Sequence, residues 1–148
     1  MASAALANAL DFNANVANSA GTIDLTVAGS AQFAGSVNAG GLNFASGTTV
    51  TYTGAGQTVA DVNYGNLVLK TGTKTWTLGA ARTINNNLDV QALSATTIGG
   101  AFDLNVTGNI SLASDLTKSS NAVVFASAAS AVSGTNDIIG SVSRTHAF

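Results

Sequence analysis

The residues of this chain that could carry chemistry are few, and the most regular of them are aspartates. Asp11, Asp24, Asp89 and Asp103 each stand at the middle of an apolar–polar–apolar phrase, such as Leu88-Asp89-Val90. Asp89 and Asp103 are candidates for a weak Ca²⁺ site, because carboxylates together with backbone carbonyls suit this ion. The favoured interpretation is a solubilising outward row, in which neighbouring carboxylates repel one another. No other cofactor is expected.

The chain has few residues that are suited to covalent catalysis. The chain has no Cys and one His, His146, and nucleophilic catalysis needs a base close to its nucleophile. All seven acidic residues are Asp, and no Gly-x-Ser-x-Gly motif occurs. The sequence therefore predicts a protein that is not an enzyme. A polysaccharide-cleaving activity resting on paired carboxylates is the least favoured alternative.

Three residues are weak candidates for a binding surface. Tyr64, Lys74 and Trp76 could together form a face on which a carbohydrate stacks. The competing interpretation places Trp76 in the core, since it alternates with Thr75 and Thr77 and must point to the opposite side of a strand. The core interpretation is the favoured one for Trp76.

The charge of the chain excludes several partners. Only 8% of the residues are charged and the formal net charge is −2, whereas binding a phosphate backbone needs clustered Lys and Arg. Nucleic acid is therefore not an expected partner. Membrane insertion is not expected either, since no segment offers the roughly 20 apolar residues that a spanning helix requires.

The elements that must position these residues are short β-strands. The apolar–polar–apolar phrase returns along the chain, usually after a Gly or Asn cluster, and alternation of this kind is typical of strands. Its copies start at Leu10, Ile23, Leu42, Leu67, Leu88 and Phe102. The middle intervals suit a coil of roughly 20 residues, a usual period for stacked repeats. The predicted fold is all-β, a parallel β-helix (β-solenoid) with irregular coils; the alternative is an antiparallel β-sandwich.

The Asn cluster at 85–87 is predicted to form a corner of a coil. Asn tolerates the left-handed conformation that such corners need, and stacked amides can form ladders between successive coils. These residues are expected to be structural.

The predicted organisation has three parts. Residues 1–21 form an N-terminal lead-in or connector, and residues 22–116 form the repeat solenoid. Residues 117–148 comprise a polar loop at 117–121, an Ala/Ser-rich coil and a C-terminal strand from Ile138.

Residues 63–90 carry a family resemblance. They contain Tyr64-Gly65-Asn66-Leu67-Val68-Leu69, Gly72-Thr73-Lys74-Thr75 and Asn85-Asn86-Asn87-Leu88-Asp89-Val90. These phrases resemble the repeats of large secreted bacterial surface proteins, filamentous-haemagglutinin-like and autotransporter-passenger-like adhesins. The resemblance implies a right-handed parallel β-helix at the bacterial cell surface or in an extracellular fibre.

The expected function is structural: a subunit or segment of a bacterial extracellular fibre or adhesin, assembled through strand edges. The assembly candidates are Ile138, Ile139 and Val142 in the C-terminal strand, and neither end of the chain shows a charged cap. The expected partners are copies of itself or the rest of a longer surface protein, with glycans as a further candidate. The alternative function is a carbohydrate- or surface-binding adhesin module.

Overall fold

The computed structural model describes residues 10–12, 16–17, 29–38, 42 and 44–145. Within these residues sixteen strands, numbered β1 to β16 along the chain, form three sheets. Their pairing is parallel throughout. The described part of the chain contains no helix, and so none that could cross a membrane.

Strand order defines the sides of a coil. The first side is a seven-stranded sheet in the order β1 (Leu10–Phe12), β3 (Ser30–Phe33), β5 (Thr49–Tyr52), β7 (Asn66–Leu69), β10 (Leu88–Val90), β13 (Ile110–Leu112) and β15 (Val132–Gly134). The second side contains β6 (Gly56–Thr58), β8 (Gly72–Thr77), β11 (Ser94–Gly99) and the start of β14 (Leu116–Phe125). The third side contains β9 (Arg82–Ile84), β12 (Leu104–Val106) and the end of β14.

The long strand β14 joins the second and third sides, and β16 (Ile138–Arg144) pairs with it along its length. The register of that pairing shifts between Thr117 and Ala122. A separate pair, β2 (Val16–Ala17) and β4 (Val37–Asn38), completes the described strands.

These sheets make a β-solenoid of about six turns, a parallel β-helix. The predicted fold class is confirmed, and the antiparallel sandwich is excluded by the parallel ladders. Equivalent positions of the first side are Leu10, Ala31, Val50, Leu67, Leu88, Ile110 and Val132, 17 to 22 residues apart. The predicted period of roughly 20 residues agrees with this range.

The core lies inside the coil, between the three sides. Each strand alternates one inward and one outward side chain, and the inward residues stack on their counterparts in the next coil. Leu67, Leu88 and Ile110 form one such column and are 0%, 1% and 0% exposed. Stacking like on like lets every coil bury its apolar side chains against two neighbours.

One corner of the coil contains residues with positive φ angles. Thr71 and Leu93 hold equivalent positions in successive coils, and both have positive φ, 51° and 65°. Gly72 follows with φ +70°, and a Cβ there would collide with the backbone oxygen of Ala55 in the coil before. Only glycine fits this close approach at little cost. The close approach of Ala55 in the preceding coil therefore explains why glycine stands at this corner.

Two predicted boundaries were wrong. The solenoid does not begin at residue 22 or stop at 116, because β1 already pairs with β3 and because β14 to β16 continue the ladders. The predicted polar loop at 117–121 lies within strand β14. Its register shift absorbs the extra residues without ending the strand. The rest of the predicted lead-in, residues 1–9, 13–15 and 18–21, lies outside the described residues.

Candidate functional site

The predicted binding residues Tyr64, Lys74 and Trp76 are inside the coil. Each is 0% exposed. The ring of Tyr64 meets that of Trp76 edge to face, with centroids 5.4 Å apart and planes at 87°. The prediction of a surface patch from these three residues is therefore wrong, and the core interpretation of Trp76 is confirmed. Nε1 of Trp76 has no hydrogen-bond partner among the described residues.

The two tyrosine hydroxyls satisfy each other within the core. Tyr64 donates to the carbonyl oxygen of Ala60 at 2.8 Å, and the hydroxyls of Tyr52 and Tyr64 lie 3.0 Å apart. Since the Tyr64 proton is committed to Ala60, Tyr52 must donate to Tyr64, and it accepts the Ala60 N–H at 3.1 Å. Burial raises the pKa of Tyr52 to about 12 and raises that of Tyr64 well above its ordinary value. Neither phenol is suited to act as an acid or base near neutral pH.

Two lysines also point inward, and each caps a corner. Nζ of Lys74 donates to the carbonyl oxygens of Gly54, at 2.6 Å, and of Thr71. Nζ of Lys118 donates to those of Gly100, at 3.3 Å, and Ser120. Burial lowers the pKa of both lysines. Their ammonium groups donate hydrogen bonds to backbone carbonyl oxygens at the corners, which is a structural task.

The proposed Ca²⁺ pair is not brought together. Asp89 lies on the first side, where its ladder neighbours are Val68 and Ser111. Asp103 precedes β12 on the third side, and its Oδ1 accepts the backbone N–H of Ala122 at 2.9 Å. Asp11 and Asp89 hold the same register position on the first side, whereas Asp24 lies outside the described residues. The described part of the chain holds no group of three His, Cys, Asp or Glu that could bind a metal.

A different arrangement of side-chain oxygens recurs along the coils. Oδ1 of Asn66 accepts the backbone N–H of Asn87 at 3.3 Å, and Oδ1 of Asn87 accepts that of Asn109 at 2.9 Å. Oδ1 of Asn109 then accepts the N–H of Ala131 at 3.0 Å. The corner role predicted for the Asn cluster is confirmed at Asn87. We call this arrangement the acceptor ladder: a side-chain oxygen in one coil binds a backbone N–H in the next.

Aspartates form the same kind of hydrogen bond between successive coils. Oδ1 of Asp115 accepts the backbone N–H of Asp137 at 3.0 Å, where the two residues hold equivalent positions before Leu116 and Ile138. The carboxylate of Asp137 is exposed and has no hydrogen bond or ion pair to the residues that the structure describes. This residue was missed in the sequence. The 22-residue spacing of the pairs 87/109 and 115/137 was the signal that could have found it.

The last coil presents the predicted assembly residues. Ile139 and Val142 are 51% and 48% exposed, and Val132 in β15 is 45% exposed. Ile138 is partly buried against the core. We call the outer edge of β15 and β16 the last-coil edge; no described strand pairs with it.

Part of the last-coil edge is covered. Arg144 stands in the inward column above Phe125, with its guanidinium carbon 4.9 Å from the ring centroid, and Nη1 donates to the carbonyl oxygen of Ser130. A charged residue therefore does cap this column, against the expectation of no charged cap. The side of the edge formed by Val132 and Ile139 has no such cover.

The second side carries an uncharged face. Thr58, Thr75, Thr97 and Thr117 occupy one register through four successive coils, and the position is Ile139 in the last. An open groove of about 470 Å³ runs beside Thr97 and Thr117, with Leu93 and Asp115 among its lining residues.

Comparisons of this chain with family models, with curated proteins and with solved structures returned no match.

Proposed function

We propose that this chain is a non-enzymatic structural subunit or segment of a bacterial extracellular fibre or cell-surface adhesin, extended by pairing at strand edges. The observation that carries the proposal is the last-coil edge, where exposed Val132, Ile139 and Val142 flank unpaired backbone. Natural proteins usually protect such edges with charge, proline or a covering element. Arg144 covers only part of this edge, and the uncovered apolar part at Val132 and Ile139 is a template for another strand.

The placement at the bacterial surface rests on the resemblance of residues 63–90 to adhesin repeats. The solenoid supports it indirectly. Its inward columns repeat from coil to coil, so further coils can be added without altering those already present. This property suits spacers and fibres.

Electron microscopy and light scattering of the purified protein in near-physiological buffer test the proposal. Regular filaments whose number increases with protein concentration are the expected result. Ile139→Lys and Val142→Lys should abolish them, because a charge on an edge strand opposes pairing. Ser111→Lys is the matched control, since Ser111 is exposed on β13, which already has a neighbour on each side. Monodisperse short rods at every concentration would contradict self-assembly.

A second candidate is the carbohydrate- or surface-binding module, supported by the uncharged threonine face of the second side. Four aligned threonines offer hydroxyls and methyls at a repeat of roughly 4.8 Å, which suits a neutral, repetitive ligand such as a glycan. A glycan array probed with the protein and with Thr97→Lys tests it. Binding that is equal for both, or binding by neither, would contradict a site on this face.

A further inference from the structure

The acceptor ladder has a direction. In the pairs Asn66/Asn87, Asn87/Asn109 and Asp115/Asp137, the oxygen belongs to the earlier coil and the N–H to the later one. Other corners follow the same direction: Asn63 accepts from Thr83, and Asp103 from Ala122. Each coil therefore presents acceptors to the coil that follows it.

Two columns of the ladder reach an alanine, which has no side-chain acceptor. The Asn column ends at Ala131, and the Asp103 column is interrupted at Ala122, whose neighbour in the last coil is Ser141. The Asp115 column continues, because the next residue in it is Asp137. Asp137 is thus a ladder acceptor on the last-coil edge, and the described residues provide no donor for it.

The orientation of the first side favours one partner. β1 and β15 are the two opposite edges of one parallel sheet. A second copy can therefore add its β1 to β15 in the same direction as every other strand of that sheet, without inversion. Such a contact is heterologous and does not close, so that it generates a filament.

The inward positions also match. The column that ends at Val132 begins at Leu10, and every described member between them is Ala, Val, Leu or Ile. An incoming Leu10 would hold the next register position of this column, beside Val132, so the apolar sequence of the column would continue. In the same register, Asp11 would take the position next to Ser133.

We propose that a second copy of this chain docks head to tail on the last-coil edge, its β1 pairing in parallel with β15, and that Asp137 accepts a backbone N–H of the incoming coil. The inference rests on the proposed function and names its partner and its docking residue. Asp137 would act on the incoming chain as Asp115 acts on Asp137. A carboxylate acceptor strengthens this hydrogen bond relative to a neutral one.

Substitutions at Asp137 test the docking role. In Asp137→Ala, the protein concentration at which filaments appear should rise about tenfold, the order expected for loss of one hydrogen bond to a charged group. Asp137→Asn should restore assembly, because Asn87 and Asn109 perform the same task with an amide oxygen. Asp89→Ala is the control that removes one half-buried negative charge away from the edge, together with its hydrogen bond from Gln91. Equal assembly by Asp137→Ala and the unsubstituted protein would overturn the role of Asp137.

Cysteine cross-linking tests the partner, and the chain has no Cys of its own. Asp11→Cys and Ser133→Cys stand at the middle of β1 and β15. Six strand spacings separate them within one chain, roughly 29 Å, far beyond the reach of a disulfide. Mixing the two single variants should give an 11–133 disulfide between molecules.

The outcomes separate the two proposals. A 133–133 disulfide alone, with no 11–133 product, would overturn head-to-tail docking. Filaments that form without either the 11–133 product or a response to Asp137→Ala would overturn this inference while leaving the fibre role intact. Absence of any filament from the unsubstituted protein would instead contradict the fibre role itself.

Discussion

Oδ1 of Asn87 lies 2.9 Å from the backbone nitrogen of Asn109, the residue in the equivalent position of the next coil. Asn87 also donates its own backbone N–H to Oδ1 of Asn66 in the preceding coil. The acceptor ladder therefore ties three successive coils through a single corner. It adds side-chain hydrogen bonds to those of the strands.

Replacing Asn87 tests what the ladder contributes. Asn87→Ala should lower the free energy of unfolding by about 1 kcal/mol, the usual net contribution of one hydrogen bond. Asn87→Asp keeps the acceptor and should retain most of the stability. Urea unfolding followed by circular dichroism measures both. Equal losses in the two variants would show that the side-chain oxygen is not the stabilising group.

The tyrosines predict an unusual alkaline titration. Tyr52 and Tyr64 are the only tyrosines of the chain, and burial raises the pKa of both, to about 12 for Tyr52. A raised pKa in the folded state means that their contribution to stability is complete below the ordinary value of 10.0 and is lost as the pH rises toward 12. Absorbance titration of the native protein should show little tyrosinate at pH 10.0, whereas the urea-unfolded protein should be half ionised. Coincident curves would contradict the buried pair.

Trp76 is the sole tryptophan and reports on the core. Its fluorescence should be blue-shifted and insensitive to iodide, because the side chain is 0% exposed. Unfolding in urea should shift the emission to the red and restore quenching. Addition of a glycan that binds the protein should leave the native spectrum unchanged. Strong iodide quenching of the native protein would contradict the burial of this residue.

The ion pair between Asp61 and Arg82 predicts that the stability of the folded protein falls at low pH. Nε and Nη2 of Arg82 lie 2.7 and 2.8 Å from the two carboxylate oxygens. Burial alone would raise the pKa of Asp61, but the hydrogen bonds from Arg82 and Gly79 and the charge of Arg82 hold it below its ordinary value. The stability that this pair contributes is therefore complete above the ordinary value of 3.8 and is lost as the pH falls through the lowered pKa.

Arg82→Gln should cost about 1 kcal/mol at neutral pH, as expected for a partly exposed pair. The difference from the unsubstituted protein should vanish in strong acid, where Asp61 is protonated. Lys70→Gln is the matched removal of one positive charge, since Lys70 has no ion pair among the described residues. A similar loss in Lys70→Gln would attribute the effect to net charge.

The strands themselves could be predicted because alternation is written into short segments. Leu67-Val68-Leu69 and Thr75-Trp76-Thr77 each specify an inward and an outward face, and the structure confirms both. The Asn cluster predicted a corner for a similar local reason. The same alternation places Lys74 on the inward face with Trp76, but its carbonyl partner Gly54 lies 20 residues away and could not be predicted from the local pattern.

The amino-acid sequence by itself determined short alternating strands, their turn residues and a stacked coil of roughly 20 residues. It did not determine which residues of different coils meet. Coil length varies from 17 to 22 residues, so that counting from one phrase to the next placed Asp103 beside Asp89, although they lie on different sides. Only the tertiary structure decided the register, because hydrogen bonds between parallel strands align the coils while corners absorb the differences in length. The same register places Asp137 at the last-coil edge.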